Sequence, residues 1–468
     1  MASKSSKSTK KTSSSKTTNK LIKTGKKMAK KNPKGFAVLI IILIVLVALG
    51  VGGYFAYRYF VPTVEFKLIG KENTNVALDS TYKDKGVVAK YNGKDIASEV
   101  QISYYLNDAK QDSIKTDVID TVYTVKYDLS YQRYTGQLER KVKVVEVEPI
   151  DINFLELGND KTGDCTFIKA GDTDILIDAG SRQSSSATIA KFISDNHYCE
   201  DGILEYVIAT HAHQDHIEGF TSTSKSPGIF DRYKIDTLID FSYTNNEGKA
   251  LYTSYANLRD AKVKSGDIVH HNTAADCVAE KNGAQKVYDV GAGITMEILD
   301  QKFYHEKSND ENNYSVCALF TQGENNYLFT GDLEEKGEES LVTLNNLPEV
   351  ELFKGGHHGS YTANTDTLLS VIKPKTVCIC CCAGSTEYTT NMERTFPAQD
   401  AINRIGKYTD KVYVTTITSA NADKHESMNG NIKFYSEKGQ AYVVTGSNNS
   451  TILKDTEWFK KNRTWPTA

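Results

Sequence analysis

Residues 210–216 read Thr210-His211-Ala212-His213-Gln214-Asp215-His216 and follow an apolar run at 204–209. Three imidazoles and one carboxylate within six residues are hard to explain by packing, because every buried polar group needs its own partner. The apolar run predicts a strand, which would place the cluster on the loop where that strand ends. Imidazole nitrogen and carboxylate oxygen are ligands of divalent zinc and manganese. We therefore predict a metal site here, with an exposed histidine-rich loop or a chance cluster as the alternatives.

Three further segments place polar residues at the ends of apolar runs. In chain order they are Ile175-Leu176-Ile177-Asp178-Ala179-Gly180, Tyr327-Leu328-Phe329-Thr330-Gly331-Asp332 and Lys354-Gly355-Gly356-His357-His358-Gly359-Ser360. With the histidine cluster, they resemble the ordered motifs of the metallo-β-lactamase superfamily. The resemblance implies the α/β fold of that superfamily, an αββα sandwich, and hydrolysis that depends on bound metal.

A closer resemblance is to the extracellular hydrolase-like domain of competence proteins of the ComEC/Rec type. It rests on the opening at 152–158, on Gly163-Asp164-Cys165, and on Asn312-Asn313-Tyr314-Ser315-Val316. The resemblance covers residues 150–445, which we take as the hydrolase domain. It does not include the polytopic channel of those proteins, so it does not imply DNA transport.

The resemblance also implies two divalent metal ions, zinc or manganese, that activate a water molecule as the nucleophile. Their expected ligands are His211 and His213 at the first ion, Asp215, His216 and His358 at the second, and Asp332 as the bridge. Three residues are expected to act in catalysis. Asp215 does so as a ligand, and Asp178 orients the histidine loop by accepting an imidazole N–H, or contacts a metal. His357 contacts the scissile phosphate or protonates the leaving group.

Two positions depart from the family pattern. Asn312 and Asn313 stand where the superfamily often supplies another histidine, and Phe396 stands where ComEC-like sequences often have a histidine before a proline. We therefore expect the first metal site to be weaker than the second, or to hold manganese in place of zinc. Asn312, Asn313 and Ser360 are expected to contact the substrate. Lys354 could contact an anion, although a solvated charge at a strand end is the simpler interpretation.

The N-terminal part of the chain joins a basic tail to a long apolar run. Residues 1–34 carry twelve lysines and no acidic residue, which predicts a disordered cytoplasmic tail. Residues 35–57 contain no charge, and a helix over 35–58 would be long enough to cross a bilayer. A cleaved signal peptide is the alternative, but its apolar region would be shorter. The lysine excess predicts a single-pass protein of the cell membrane with a cytoplasmic N-terminus and an extracellular C-terminal domain.

Residues 63–148 are typical of short strands. Tyr123, Val125 and Tyr127 alternate with polar residues, which is the periodicity of a half-buried strand. This region resembles bacterial immunoglobulin-like repeats, which predicts an all-β sandwich that serves as a stalk, with ligand binding as the alternative. Residues 446–468 are polar and are expected to form a C-terminal tail.

The eight cysteines show no metal-knuckle spacing, and four of them lie in one apolar run at 377–383. Adjacent cysteines on a strand point to opposite faces and cannot readily pair with each other. We interpret them as small apolar strand residues. A disulfide framework and a zinc site are the alternatives.

The expected activity is cleavage of a phosphodiester in a nucleic acid or a surface polymer, by a phosphodiesterase or nuclease. A lactonase or β-lactamase would use the same ligands, and a non-catalytic adhesin on a decayed hydrolase fold is the alternative from another class. The whole chain carries a net charge of −3 and the tail +12, so the remainder carries −15. An acidic domain is a poor binder of long duplex DNA. The membrane, through one helix, is an expected partner, and the sequence identifies no protein partner.

Overall fold

The computed structural model describes residues 62–69, 72–79, 81–82, 84, 86–157, 162–291, 293–418, 425–427, 430–437, 441–445 and 451–467. The basic tail expected at 1–34 and the membrane helix expected at 35–58 lie outside these residues. Within the described ranges, no helix has both the length and the apolar character that crossing a bilayer requires.

The chain folds into two compact units. Among the described residues, the smaller unit comprises 62–67, 88–100 and 130–134. The larger unit comprises 68–87, 101–129 and the chain from 135 onward. The predicted hydrolase domain therefore lies wholly within the larger unit.

The strands before residue 150 belong to two sheets, with the orders β1-β3-β4 and β2-β8-β7-β5-β6. Their bounds are β1 Val64–Leu68, β2 Asn73–Ala77, β3 Val87–Tyr91, β4 Lys94–Asp95, β5 Val100–Leu106, β6 Ala109–Gln111, β7 Val122–Tyr131 and β8 Tyr134–Val145. In β7, Tyr123, Val125 and Tyr127 are buried while the residues between them are more exposed, so the predicted alternation is confirmed. That these sheets form an immunoglobulin-like sandwich stays a prediction.

Two eight-stranded sheets form the centre of the larger unit. The first has the order β14-β13-β12-β11-β10-β9-β23-β24 and the second the order β15-β16-β17-β18-β19-β20-β21-β22. Their bounds are β9 Ile150–Phe154, β10 Thr166–Ala170, β11 Thr173–Ile177, β12 Ile203–Ile208, β13 Lys234–Asp240, β14 Ile268–Thr273, β15 Val287–Gly291, β16 Ile294–Ile298, β17 Ala318–Gln322, β18 Asn325–Phe329, β19 Leu352–Lys354, β20 Val377–Ala383, β21 Val412–Thr418, β22 His425–Ser427, β23 Ile432–Glu437 and β24 Ala441–Thr445.

The two large sheets pack face to face. Phe154 of the first sheet stacks on Phe329 of the second with ring centroids 6.2 Å apart. Tyr327 of the second sheet meets Phe434 of the first edge-on at 5.4 Å. Apolar burial is the main force that holds such layers together, so these inward-facing strands are apolar along most of their length.

Helices cover the outer faces of both sheets. Their bounds are α1 Ser185–Asp195, α2 Gln214–Ile217, α3 Ile229–Arg232, α4 Ala250–Ser265, α5 Ala274–Ala279, α6 Glu335–Leu344, α7 Asp366–Ile372, α8 Gln399–Ile405 and α9 Glu457–Asn462. Ile189 of α1 and Tyr255 of α4 join the core of the first sheet, and Leu368 of α7 joins that of the second. The layers are thus helix, sheet, sheet and helix, which confirms the predicted αββα arrangement.

The segment after residue 450 does not form the expected tail. Trp458 is 9 % exposed and Phe459 is 2 % exposed, and both belong to the apolar core behind the second sheet. Arg463 donates to the carbonyl groups of Thr395 and Pro397. The domain therefore continues past the predicted boundary at 445. Trp458 and Phe459 anchor this segment by burying their side chains in the core, although the residues around them are polar.

All eight cysteines are buried and free. The run 377–383 is strand β20, which is buried at every position because the sheet is covered on both faces. This confirms the interpretation of these cysteines as apolar strand residues.

Candidate metal centre

The predicted motifs meet where four parallel strands end. β11 and β12 are parallel neighbours with Ile177 opposite Ile208, so Asp178 and the segment 210–216 leave the first sheet side by side. Only 210–213 form the predicted loop, because Gln214 to His216 begin the helix α2. β18 and β19 are parallel neighbours in the second sheet, and they lead to Asp332 and to the turn at 356–359. Functional loops commonly gather at the carboxyl ends of parallel strands, and here two sheets contribute them.

Asp178 lies behind the histidine loop and fixes it. One carboxylate oxygen accepts the backbone N–H of Thr210 and the other accepts the Thr210 hydroxyl, both at 2.8 Å. The second oxygen also lies 2.7 Å from Nδ1 of His216. Nδ1 therefore donates to Asp178, and Nε2 of His216 points away from Asp178 toward the site.

His358 is oriented in the same way by the second sheet. Its Nδ1 donates to the carbonyl of Cys380 in β20 at 2.9 Å, which leaves Nε2 to face the site. His357 and His358 both have left-handed backbone conformations, with φ of 47° and 52°. Such a conformation is costly for a residue with a Cβ atom, and it is found mainly at functional sites.

Two imidazoles and two carboxylates converge on a common space. Nε2 of His216 lies 3.2 Å from Asp332 Oδ2. Nε2 of His358 lies 3.1 Å from the same oxygen and 3.2 Å from Asp215 Oδ2. The nitrogen of His358 is fully buried and makes no hydrogen bond among the described residues. Imidazole and carboxylate ligand atoms that converge on one buried space, with Nε2 of His358 left without a hydrogen bond, fit a divalent cation between them.

Asp332 owes its position to the glycine before it. Gly331 has φ of 54°, and a Cβ atom there would come within 2.8 Å of the Ser315 hydroxyl and 3.0 Å of Thr210. That hydroxyl in turn accepts the backbone N–H of Asp332 at 3.0 Å. Residue 331 must therefore be small for the carboxylate to reach the two histidines.

The electrostatics of the site favour cation binding. Burial alone would lower the pKa of His216, but the carboxylates of Asp332 and Asp178 raise it well above the usual value. Burial alone would also lower the pKa of His358, and Asp332 and Asp164 raise it well above the usual value. Without metal, these imidazoles hold protons in the space that a metal ion would occupy.

His211 and His213 stand next to this space, at the expected first ion. Nε2 of His211 lies 3.0 Å from Nδ1 of His213. Burial lowers the pKa of His211 well below its usual value, so its imidazole is neutral and can act as a ligand. Glu311 accepts the backbone N–H of Ala212 at 3.2 Å, which brings the neighbouring Asn312 to the histidine loop. Asn312 and His213 line the same pocket, and the position of Asn312 in place of a ligand histidine stays a prediction.

A buried ion pair that the sequence did not reveal lies behind the histidines. Lys354 Nζ contacts the Asp164 carboxylate and lies 3.8 Å from Asp332 Oδ1. The Lys354 side chain is 3 % exposed, so its interpretation as a solvated strand-end charge is wrong. Asp164 Oδ1 lies 3.3 Å from Nδ1 of His358. Asp164, His216, Asp332 and His358 form one buried group with ligand atoms within 4.8 Å of one another.

A pocket of about 620 Å³ opens onto the site and is lined by His213, Asp215, Asn312, Asp332, Glu334, His357, His358, Ser360, Tyr361, Thr362, Tyr388, Arg394 and Phe396, among others. Of the residues expected to contact substrate, Asn312 and Ser360 line it. Asn313 does not, because its side chain is buried and donates to the Ser308 hydroxyl at 3.4 Å. His357 is directed by Glu334, whose carboxylate lies 3.4 Å from its Nδ1.

Tyr388 is a further site residue that no sequence motif indicated. Its hydroxyl donates to Asp215 Oδ2 at 3.1 Å, while the residue as a whole is 57 % exposed at the mouth of the pocket. Burial of the hydroxyl and the Asp215 charge raise the pKa of Tyr388 above its usual value, so it stays a donor. A lone tyrosine in the polar stretch before Phe396 gives no sequence signal.

A four-layer αββα domain with buried histidines and aspartates at the strand ends is typical of a class of metal-dependent hydrolases. Residues 158–221 and 260–383 match the family model of the metallo-beta-lactamase superfamily. The chain therefore carries a domain of the metallo-beta-lactamase superfamily, and divalent metal binding follows from that fold and from the buried Asp/His group.

Two curated proteins are similar to part of the chain. Recombination protein 2 of Haemophilus influenzae is 32 % identical over 82 residues, which is 18 % of this chain and 10 % of that protein. ComE operon protein 3 of Bacillus subtilis is 23 % identical over 181 residues, which is 38 % of this chain and 20 % of that protein. The chain thus spans no more than 20 % of the length of these relatives.

Among solved structures, a metallo-beta-lactamase from Cronobacter sakazakii with a HARLDQ motif is similar at 14 % identity, with a TM-score of 0.26. The match covers 44 % of this chain and 79 % of that chain. A protein of unknown function from Enterococcus faecalis V583 matches at 15 % identity and a TM-score of 0.24, covering 44 % of this chain and 49 % of that one.

Proposed function

We propose that the domain hydrolyses phosphodiester bonds with the help of two divalent metal ions, zinc or manganese, as a phosphodiesterase or nuclease. The observation that carries this proposal is the convergence of His216, His358, Asp215 and Asp332 on one space at the wall of an open pocket. A structural metal would instead be closed off from solvent, whereas three of these residues line the open pocket.

Divalent ions bound there would lower the pKa of a coordinated water and stabilise negative charge on a phosphoryl oxygen. The residues of the chain account for the remaining roles. Asp178 and the Cys380 carbonyl hold the two imidazoles with Nε2 toward the pocket. His357 is 18 % exposed, lies beside Asp332, and is held by Glu334. These contacts support its proposed role as the proton donor to a leaving oxygen.

The phosphodiester assignment is supported by the similarity of part of the chain to competence proteins. The acidic character of the chain beyond its tail favours short single strands, small diesters or a surface polymer over long duplex DNA, because duplex binding depends on phosphate neutralisation by many basic residues. A non-catalytic surface-binding role is the second candidate, and Asn312 in place of a histidine is the observation that favours it.

The test is hydrolysis of bis(p-nitrophenyl) phosphate by the purified full chain with added zinc or manganese, and again after chelation. We expect metal-dependent turnover that Asp332→Ala and His216→Ala abolish, with loss of bound metal. His270→Ala, at an exposed position of β14, is the matched control and should keep full activity. Unchanged turnover in chelated protein would refute the mechanism. Cleavage of lactams or lactones alone would refute the phosphodiester assignment.

We also propose that the hydrolase domain is displayed outside the cell on a single membrane helix. The support is the sequence at 1–58, with twelve lysines before one uncharged run. The partners would then be the membrane and a phosphodiester substrate on or near the cell surface.

A further inference from the structure

Arg394 presents a positive charge at the mouth of the pocket without a polar partner. Elsewhere in the domain, Arg182 and Arg259 pair with carboxylates, and Arg404 and Arg463 donate to backbone carbonyls. Among the described residues, none forms an ion pair or a side-chain hydrogen bond with the guanidinium of Arg394. Its donors are therefore available to a ligand.

The side chain of Arg394 is nevertheless held in place. Its guanidinium carbon lies 4.5 Å from the centroid of the Tyr361 ring, which is the distance of a cation–π contact. Tyr361 is fixed through its carbonyl, which accepts a hydrogen bond from Arg404 at 2.9 Å. Tyr361 is 40 % exposed, so the Arg394–Tyr361 pair faces solvent at the pocket entrance.

The charge of Arg394 is distinctive within the pocket. Among the described lining residues it is the only arginine or lysine, and the other fixed charges are the carboxylates Asp215, Asp332 and Glu334. A guanidinium stacked on an aromatic ring keeps its planar fork of N–H groups free, and that fork matches two oxygens of a phosphate. A lysine would provide the charge without the fork or the stacking.

We propose that Arg394, positioned by Tyr361, binds an unesterified oxygen of the substrate phosphate and thereby selects anionic substrates. This inference rests on the proposed phosphodiester hydrolysis. Tyr361 is a positioning residue, because it acts through Arg394 and not on the phosphate itself. The segment that carries Arg394 and Tyr388 would then contact and select the substrate, while the residues at the strand ends bind the metal.

The experiment compares Arg394→Ala, Arg394→Lys and Tyr361→Leu with the unchanged full chain. The readouts are kcat and KM for bis(p-nitrophenyl) phosphate, the inhibition constant of inorganic phosphate, and metal content. A charge-assisted hydrogen bond lost from a binding site costs about tenfold to a hundredfold in affinity. We expect Arg394→Ala to raise KM and the phosphate inhibition constant by such a factor, with kcat changed less and metal content unchanged.

Arg394→Lys should give an intermediate effect because it keeps the charge but loses the fork, and Tyr361→Leu should give a smaller increase in both constants. Lys264→Ala, which removes an exposed charge on α4 outside the pocket, is the matched control and should leave both constants unchanged. Equal KM and phosphate inhibition in Arg394→Ala and the unchanged chain would overturn the inference.

The two proposals can fail separately. If the unchanged chain cleaves no phosphodiester, the proposed function fails, and calorimetric titration of the metal-loaded protein with inorganic phosphate still tests Arg394. Weaker phosphate binding in Arg394→Ala would then support the anion site, and equal binding would overturn it.

Discussion

Lys354 and Asp164 form an ion pair that is buried directly behind the candidate metal centre. Their side chains are 3 % and 2 % exposed. Burial alone would raise the pKa of Asp164, but Lys354 and His358 hold it below the usual value. Lys354 also lies 3.8 Å from Asp332 Oδ1, the oxygen that faces away from the histidines. The pair therefore keeps one carboxylate charged beside His358 and helps to fix the direction of another.

Replacing Lys354 with methionine should destabilise the domain strongly. The change leaves the Asp164 charge buried without its partner, which typically costs about 3–5 kcal/mol. The chain has two tryptophans, Trp458 and Trp465, and both pack against the core of this domain. Urea unfolding of chelated protein, followed by tryptophan fluorescence, therefore measures the free energy of unfolding of this domain.

The double variant Lys354→Met with Asp164→Asn is the control for this prediction. It removes both charges and should recover most of the lost stability, as coupled residues do in a double-mutant cycle. Additive losses from the two single changes would show that the two charges do not stabilise each other.

Metal affinity should rise steeply with pH. The pKa values of His216 and His358 are raised in the metal-free site, so both imidazoles stay protonated to a higher pH than ordinary histidines. Metal must displace these protons, and affinity is therefore lost as the pH falls through the raised pKa values. Competition with a chromophoric chelator should show affinity that changes about tenfold per pH unit for each proton displaced.

His358→Gln is the matched variant, because it removes one of the two titrating imidazoles. Its affinity should be lower and should depend less on pH. An affinity that is constant between about pH 6 and 8, the range around the ordinary histidine pKa, would contradict the protonated metal-free site.

Asn312→His should strengthen metal binding at the first site. The Asn312 side chain lines the pocket, and its Oδ1 is buried without a hydrogen-bond partner among the described residues. An imidazole there would add the ligand that the family pattern expects, so metal content per chain should increase. Asn313→His is the matched control, since residue 313 lies outside this pocket, and it should bind no additional metal.

Protease added to intact protoplasts should remove the C-terminal domain and spare an N-terminal epitope. The reason is the lysine excess before the uncharged run at 35–57, which favours a cytoplasmic N-terminus. Immunoblots against both ends give the readout, and lysed protoplasts provide the control in which both ends are cut. Full protection of the C-terminal domain in intact protoplasts would refute surface display.

Sequence patterns indicated those residues of the candidate site that directly follow an apolar strand. The segment 210–216, Asp178 and Asp332 each carry this local signal. Parallel pairing of β11 and β12 brings the first two together, and the packing of the two sheets brings Asp332 to His216. Lys354 follows an apolar run in the same way, but the run does not indicate where its charge goes. Lys354 is buried because it pairs with Asp164, which precedes β10 in the first sheet, whereas Lys354 ends β19 in the second. A single sequence carries no information on that pairing.

Sequence patterns did not indicate the pocket residues that lie between the helices and strands. Tyr388 and Arg394 lie in a polar stretch between β20 and α8, with no periodicity to mark them. Their position at the pocket follows from how that stretch folds back over the 356–359 turn. The C-terminal segment was missed for a related reason, because Trp458 and Phe459 are two apolar residues among polar ones.

The candidate metal ligands come from both large sheets of the domain. His216 and Asp215 lie in the short helix α2 after β12 of the first sheet, whereas Asp332 and His358 lie in turns after β18 and β19 of the second. An ion bound by all four residues would link the two large sheets, because neither sheet alone supplies the full set of ligands. Cation binding would then add to the apolar packing between the two sheets, so removal of the metal should weaken the contact between them.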